Sequence, residues 1–140
     1  MGRIVVGIDG SAESDAALAW ALEQARRTGD EVQAVHAWQY PEMGEWMKPN
    51  PFELQHDELE RDAARVLREA LDRAGPHGDV AVDPVVGNGR AVALLLAAAE
   101  GAELLVVGSR GRGGFAGLLL GSVSQHCVQH APCPVVVVPT

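Results

Sequence analysis

A run of glycines near the carboxyl end of the chain has the composition of a phosphate-binding loop. Residues 108–114 read Gly-Ser-Arg-Gly-Arg-Gly-Gly and lead, through an apolar stretch, to Gly121 and Ser122 at the start of a predicted helix. Glycines let backbone N–H groups approach an anion without obstruction by a Cβ, and a helix N-terminus adds partial positive charge. The Ser122 hydroxyl could contact a phosphate oxygen or a bound Mg²⁺. Alternatively, Ser122 caps the helix, because Gln125 completes a capping box with it. The segment is not a Walker loop, since no GxxxxGK[ST] pattern and no nearby lysine is present.

A second segment, Asp9-Gly10-Ser11, follows the first predicted strand and offers a carboxylate. In a nucleotide site this carboxylate could bond the base or ribose, or approach a metal through water. Alternatively, it accepts a hydrogen bond from the backbone of its own turn. Glu13 and Asp15 fall in the first turn of the next helix and would repel an anion there, whereas no acidic residue follows Glu103. The sequence therefore favours the helix that begins near Ser122 as the phosphate site.

Two further groupings carry residue types found in metal or catalytic sites. His126 and His130 lie four residues apart, with Cys127 and Cys133 nearby, but this spacing matches no common zinc finger. A Ser-His-Asp triad would lack the G-x-S-x-G turn that presents the nucleophile. We therefore predict no metal ligands and no catalytic residues.

Two periodicities alternate along the chain and predict the elements that hold the candidate residues. Short apolar strands alternate with helices whose apolar residues recur every three or four positions. The predicted strands are residues 3–9, 31–37, 80–86, 103–107 and 134–138, and the predicted helices are residues 12–28, 53–74, 90–100 and 122–130. This order indicates a single doubly wound α/β domain, with a parallel sheet covered by helices on both faces. Pro84 places the third strand at an edge, and ligands in such sheets bind beyond the carboxyl ends of the strands.

Length and composition limit the class of protein. The chain has 140 residues, which suits one domain over residues 1–140, and its formal net charge of −8 argues against a nucleic-acid partner. The last 37 residues differ from this average, because they contain two arginines and no acidic residue. No signal-peptide pattern, membrane-length apolar run or disulfide framework is present, so we predict a cytoplasmic protein without a membrane partner.

The glycine spacing resembles that of the UspA-like universal stress proteins, in particular the subgroup that binds ATP. That subgroup's pattern is Gly, two residues, Gly, nine residues, then Gly and Ser or Thr, and this chain has Gly108, Gly111, Gly121 and Ser122 at those positions. The resemblance extends to the first strand and covers nearly the whole chain. It implies the strand order 3-2-1-4-5, ATP with Mg²⁺ as the cofactor, and a homodimer formed through residues 134–139.

The same resemblance assigns roles within the site. It implies adenine near Ala37, ribose near Asp9 and Gly108, and triphosphate on Gly111, Gly121 and Ser122. The full set of predicted nucleotide-binding residues is Asp9, Gly10, Ser11, Ala37, Gly108, Ser109, Gly111, Arg112, Gly121, Ser122 and Val123.

We predict a nucleotide-dependent regulatory module of the stress response rather than an enzyme, because no lysine or convincing general base accompanies the glycine loop. The alternatives are a slow ATPase or autophosphorylating enzyme, and a nucleotide-free interaction protein. The loop of residues 38–52 holds four of the six aromatic residues. It either covers the sheet and the long helix, or forms a lid or partner surface.

Overall fold

The computed structural model describes residues 2–111 and 120–139. They form one parallel five-stranded sheet in the order β3-β2-β1-β4-β5, with helices on both faces. The strands are β1 (Arg3–Gly7), β2 (Glu31–Trp38), β3 (Val82–Asn88), β4 (Leu104–Gly108) and β5 (Val135–Val138). The helices are α1 (Ala12–Thr28), α2 (His56–Ala74), α3 (Ala91–Ala98) and α4 (Ser122–His130). The predicted fold class and strand order are confirmed.

The two faces of the sheet build two separate cores. Alternate residues of a strand point to opposite faces, so Ile4 and Val6 of β1 pack with α1 and α2, whereas Val5 packs with α3 and α4. The central strands β1 and β4 are buried on both faces, as expected for continuous runs of Val, Ile and Leu. Because β1 and β4 lie next to each other, the strand order reverses between them, and their carboxyl ends border the point where such sheets bind ligands.

The prediction that Pro84 lies on an edge strand is confirmed. β3 pairs only with β2, so Pro84 has no strand on its outer side that would require its missing N–H. The strand runs two residues later than predicted, because Val80 donates to the carbonyl of His77 in the preceding turn.

The predicted start of α2 was early by three residues. Glu53 lies in a short 3₁₀ turn (Pro51–Gln55) that Asn50 caps, and the α-helix begins only at His56.

The loop between β2 and α2 divides into an anchored part and an exposed part. Trp38 is buried, donates from Nε1 to Glu60 at 2.6 Å and packs edge-on against Tyr40, whose hydroxyl lies 2.7 Å from Nδ1 of His56. By contrast, Trp46 is 82% exposed. Covering of the sheet therefore explains the first aromatic residues of the loop but not Trp46.

The two cysteines differ in their surroundings, and this difference predicts their reactivity. Cys127 is fully buried on the inner face of α4, and burial raises the pKa of its thiol to about 11. Burial also raises the pKa of the Cys133 thiol, which is only partly covered. Because the thiolate is the reactive form, we expect a thiol reagent such as DTNB to modify at most Cys133 in the native protein at pH 8. A second equivalent should react only after denaturation. Rapid reaction of two thiols per native chain would contradict the buried position of Cys127.

No helix among the described residues is both long and apolar enough to cross a membrane.

Candidate functional site

An open cleft lies at the carboxyl ends of β1 and β4, with about 570 Å³ of empty space when the solvent at its mouth is included. Described residues that follow these two strands line the cleft together with residues of β2, α1, α3 and α4. Its lining residues are Gly7, Ile8, Asp9, Ser14, Val35, Ala37, Ala91, Leu95, Val107, Gly108, Arg110, Gly111, Val123 and Ser124. The cleft therefore occupies the position that the reversal of strand order predicts.

One part of this cleft is apolar. This part is lined by Val35 and Ala37 of β2, Leu95 of α3, Val107 of β4 and Val123 of α4, and Val35, Leu95 and Val107 belong to one packed cluster. Such a wall suits a flat, uncharged group held by dispersion and by a few polar contacts at its edge. Leu95 was not predicted as a site residue, because the sequence of α3 shows only a short apolar helix and does not reveal which residues reach the cleft.

Asp9 forms both a local turn and part of the cleft wall. Its Oδ1 accepts from the backbone N–H of Ser11 at 2.9 Å and from the Ser11 hydroxyl, so the turn interpretation of this carboxylate is confirmed. Ser11 in turn caps α1 by accepting from the N–H of Ser14 at 3.1 Å. These bonds fix the Asp9 carboxylate at the mouth of the cleft, where its Oδ2 approaches Gly111.

Two glycines of the predicted loop are required by close approach. A Cβ built on Gly111 would lie 2.6 Å from Oδ2 of Asp9. A Cβ built on Gly108 would lie 2.8 Å from the carbonyl carbon and oxygen of Glu13, in the first turn of α1. Side chains at these positions would push the end of β4 and Gly111 away from the first turn of α1 and from Asp9.

Ser109 and Gly121 hold the start of α4 against the end of β4. Ser109 is buried, its N–H donates to Val138 at 3.0 Å, and its carbonyl accepts from the N–H of Gly121 at 2.7 Å. The buried Ser124 hydroxyl lies 2.9 Å from the Ser109 carbonyl and 3.0 Å from the Gly121 carbonyl.

Gly121, and not Ser122, occupies the N-cap of α4, so the interpretation of Ser122 as the helix cap is wrong. Ser122 is the first residue of the helix, and its side chain is exposed. The first N–H groups of any helix have no partner within the helix, and the first turn of α4 contains no acidic residue. This end of the cleft therefore offers donors and partial positive charge.

The charged residues at the cleft mouth include an arginine that the sequence analysis did not predict as a site residue. Arg110 lines the cleft and forms an ion pair with Glu13, with 3.8 Å between Nη2 and Oε1. Arg110 was not among the predicted site residues. Arg112, which was predicted, lies outside the described residues.

The cleft brings together some of the predicted nucleotide-binding residues but not all of them. Asp9, Ala37, Gly108, Gly111 and Val123 line it. The described residues that adjoin it without lining it are Gly10, Ser11, Ser109, Gly121 and Ser122.

A protein-held metal centre is not evident in the part of the chain that the structure describes. No group of three or more His, Cys, Asp or Glu side chains within residues 2–111 and 120–139 is arranged to hold an ion.

A parallel sheet in this order, with helices on both faces and a glycine-bordered cleft where the order reverses, defines a doubly wound α/β fold. The model of the universal stress protein family matches residues 1–139, and the chain belongs to that family.

Sequence relatives and solved structures agree with this assignment. The universal stress protein Rv1996 of Mycobacterium tuberculosis is 43% identical over 140 aligned positions, which cover 96% of this chain and 43% of that protein. The chain thus spans less than half the length of this relative.

The universal stress protein UspA from Lactobacillus plantarum superposes with a TM-score of 0.82 at 22% identity, covering 98% of this chain and 97% of that one. A universal stress protein solved in complex with cAMP superposes with a TM-score of 0.71 at 28% identity, covering 99% of this chain and 96% of that one.

Proposed function

We propose that this chain binds ATP in the cleft between β1 and β4 and acts as a nucleotide-dependent regulatory module. One observation carries the proposal: a single cleft combines an apolar wall, a fixed carboxylate at Asp9 and the acid-free N-terminus of α4. These are the three environments that a base, a ribose and a phosphate chain require. The cAMP complex of a related universal stress protein supports an adenine nucleotide as the ligand class.

Each part of the nucleotide has a matching surface. The base would lie against Val35, Ala37 and Leu95, with its edge near the backbone of β2. A ribose hydroxyl would donate to the carboxylate of Asp9, which the Ser11 bonds already orient. The phosphates would accept from the first N–H groups of α4, beside Gly111.

Mg²⁺ would enter with the nucleotide and reduce the charge of its phosphates. The described residues contain no group of three or more acidic, histidine or cysteine side chains that could hold it. Phosphate oxygens and water would therefore supply most of its ligands, as is usual for this ion.

Binding at this position would connect elements from across the fold. The loop after β4 and the start of α4 are tied to β5 through Ser109, whose N–H donates to Val138. β5 is an edge strand whose residues are half-buried, so its outer side is available to pair with a second copy. We propose a homodimer through β5, whose stability the nucleotide would alter without a catalytic step.

The decisive experiment measures what the purified protein carries and what stabilises it. We expect a nucleotide to be released on denaturation, or ATP to raise the melting temperature. A ligand at a hundred times its Kd stabilises the folded protein by about 2.7 kcal/mol. In a domain of this size that corresponds to a rise in melting temperature of roughly 5–10 °C. ADP, AMP and cAMP should be titrated in parallel to rank the affinities for nucleotides that differ in their phosphate groups.

Absence of both released nucleotide and thermal shift would refute the binding proposal and favour a nucleotide-free interaction protein. Steady ATP hydrolysis that the Asp9→Ala variant loses would overturn the regulatory proposal in favour of an enzyme.

A further inference from the structure

The outer side of α4 carries two histidines that take no part in the cleft or the core. His126 and His130 are both exposed, whereas Cys127 between them faces the interior. Residues four apart on a helix are neighbours, and the two imidazole rings lie with centroids 6.3 Å apart and planes inclined by 34°. The pair is therefore preassembled on successive turns of one helix.

A backbone contact defines the tautomer of the first histidine. Nδ1 of His126 lies 2.8 Å from the carbonyl oxygen of Ser122. A carbonyl can only accept, so Nδ1 carries the hydrogen and Nε2 holds the lone pair. Metal-binding histidines typically donate their other ring N–H in this way, which orients the ring and raises its basicity.

The spacing and the local charge also suit a cation. An ion bound at Nε2 lies about 3 Å from the ring centroid, since metal–nitrogen bonds are about 2.0–2.1 Å long. One ion between two rings therefore needs centroids within about 6 Å, which small rotations of these exposed side chains supply. His130 is the last residue of α4, where the helix dipole favours positive charge.

We propose that His126 and His130 together bind one divalent transition-metal ion of the class that prefers imidazole, namely Zn²⁺, Ni²⁺ or Cu²⁺. Among the described residues no third His, Cys, Asp or Glu joins the pair, so water completes the coordination. This proposal departs from the sequence-based prediction of no metal ligands, which rested on the lack of a zinc-finger spacing and did not use the contact between the two rings. It is also independent of the nucleotide proposal, because neither histidine lines the cleft.

Ni²⁺ is the suitable probe, because it binds imidazole without oxidising the free thiols. Titration calorimetry of the full chain, free of any affinity tag, should show one Ni²⁺ bound per chain. The His126→Asn and His130→Asn variants should each lower the affinity at least tenfold, and the double variant should bind no more weakly than either one. Ni²⁺ should also raise the melting temperature of the parent alone, because the ion links two turns of the helix.

A relocated pair provides the matched control. The Val128→His/His130→Asn variant keeps five histidines and uses a position that is 51% exposed, but it places the pair two residues apart, where side chains do not face each other. It should bind as weakly as the single variants, whereas Cys133→Ser should bind like the parent. Equal affinity in the parent and the relocated pair, or no binding by the parent at millimolar Ni²⁺, would overturn the proposal.

Discussion

The Ser122→Asp variant is expected to bind ATP at least tenfold more weakly than the parent while remaining equally or more stable without ligand. Ser122 is the first residue of α4 and its side chain is exposed, so a carboxylate there meets no steric obstacle. An acidic residue in the first turn stabilises a helix by about 0.3–1 kcal/mol. The same charge would oppose phosphate at this helix end, and two like charges 4 Å apart near a protein surface repel by about 4 kcal/mol.

The opposite signs of these two effects make the experiment selective. A loss of binding caused by misfolding would lower the stability of the free protein, whereas phosphate repulsion would not. The matched control is Ser122→Asn, which has nearly the same shape and no charge, and should bind within a few-fold of the parent. Affinity should be measured by calorimetry and stability by urea denaturation. If the parent binds ATP and the Ser122→Asp variant binds it equally well, the phosphates lie elsewhere.

Gly108→Ala is expected to destabilise the fold by about 1–3 kcal/mol, the usual cost of forcing extra volume into a packed site. The added Cβ would meet three atoms of Glu13 at 2.8 Å, two of them in the backbone. That backbone belongs to the first turn of α1, which Ser11 caps, so it cannot move without loosening the helix start. The modest gain from replacing a strand glycine by alanine, about 0.5–1 kcal/mol, is smaller than this cost.

Gly87→Ala is the matched control for that substitution. Gly87 also lies in a strand, and its added Cβ would meet Leu94 at 2.9 Å, but the atom it meets is the end of a flexible side chain. We expect it to cost less than half as much as Gly108→Ala in the urea-derived free energy of unfolding. Equal losses in the two variants would show that the contact between β4 and α1 is not tighter than an ordinary packing contact.

The sequence predicted the structure best where the chemistry of one residue type restricts its position in the fold. Pro84 cannot donate to a ladder, and it lies on the edge strand. The missing N–H is a property of proline itself, so the sequence alone shows that this strand cannot pair on both sides.

Prediction was weaker where the outcome depends on atoms distant in the chain. Ser122 and Gln125 form an acceptable capping box, yet Gly121 is the N-cap, because its N–H is held by the carbonyl of Ser109 and its carbonyl lies beside the Ser124 hydroxyl. The capping-box motif considers only two residues of the helix, so it cannot predict the contacts that Gly121 makes with Ser109 and Ser124. Arg110 was likewise missed in favour of Arg112, since its ion pair with Glu13 joins residues nearly a hundred positions apart.

The sequence by itself determined the alternation of strands and helices, because apolar periodicity reports which face of each element must be buried. It also determined, through the resemblance of its glycine spacing, the family and the strand order. Only the tertiary structure decided that Leu95 lines the same cleft as Val35 and that Gly108 lies against the backbone of α1. These contacts arise from the packing of separate elements, and packing depends on the shapes of all of them together.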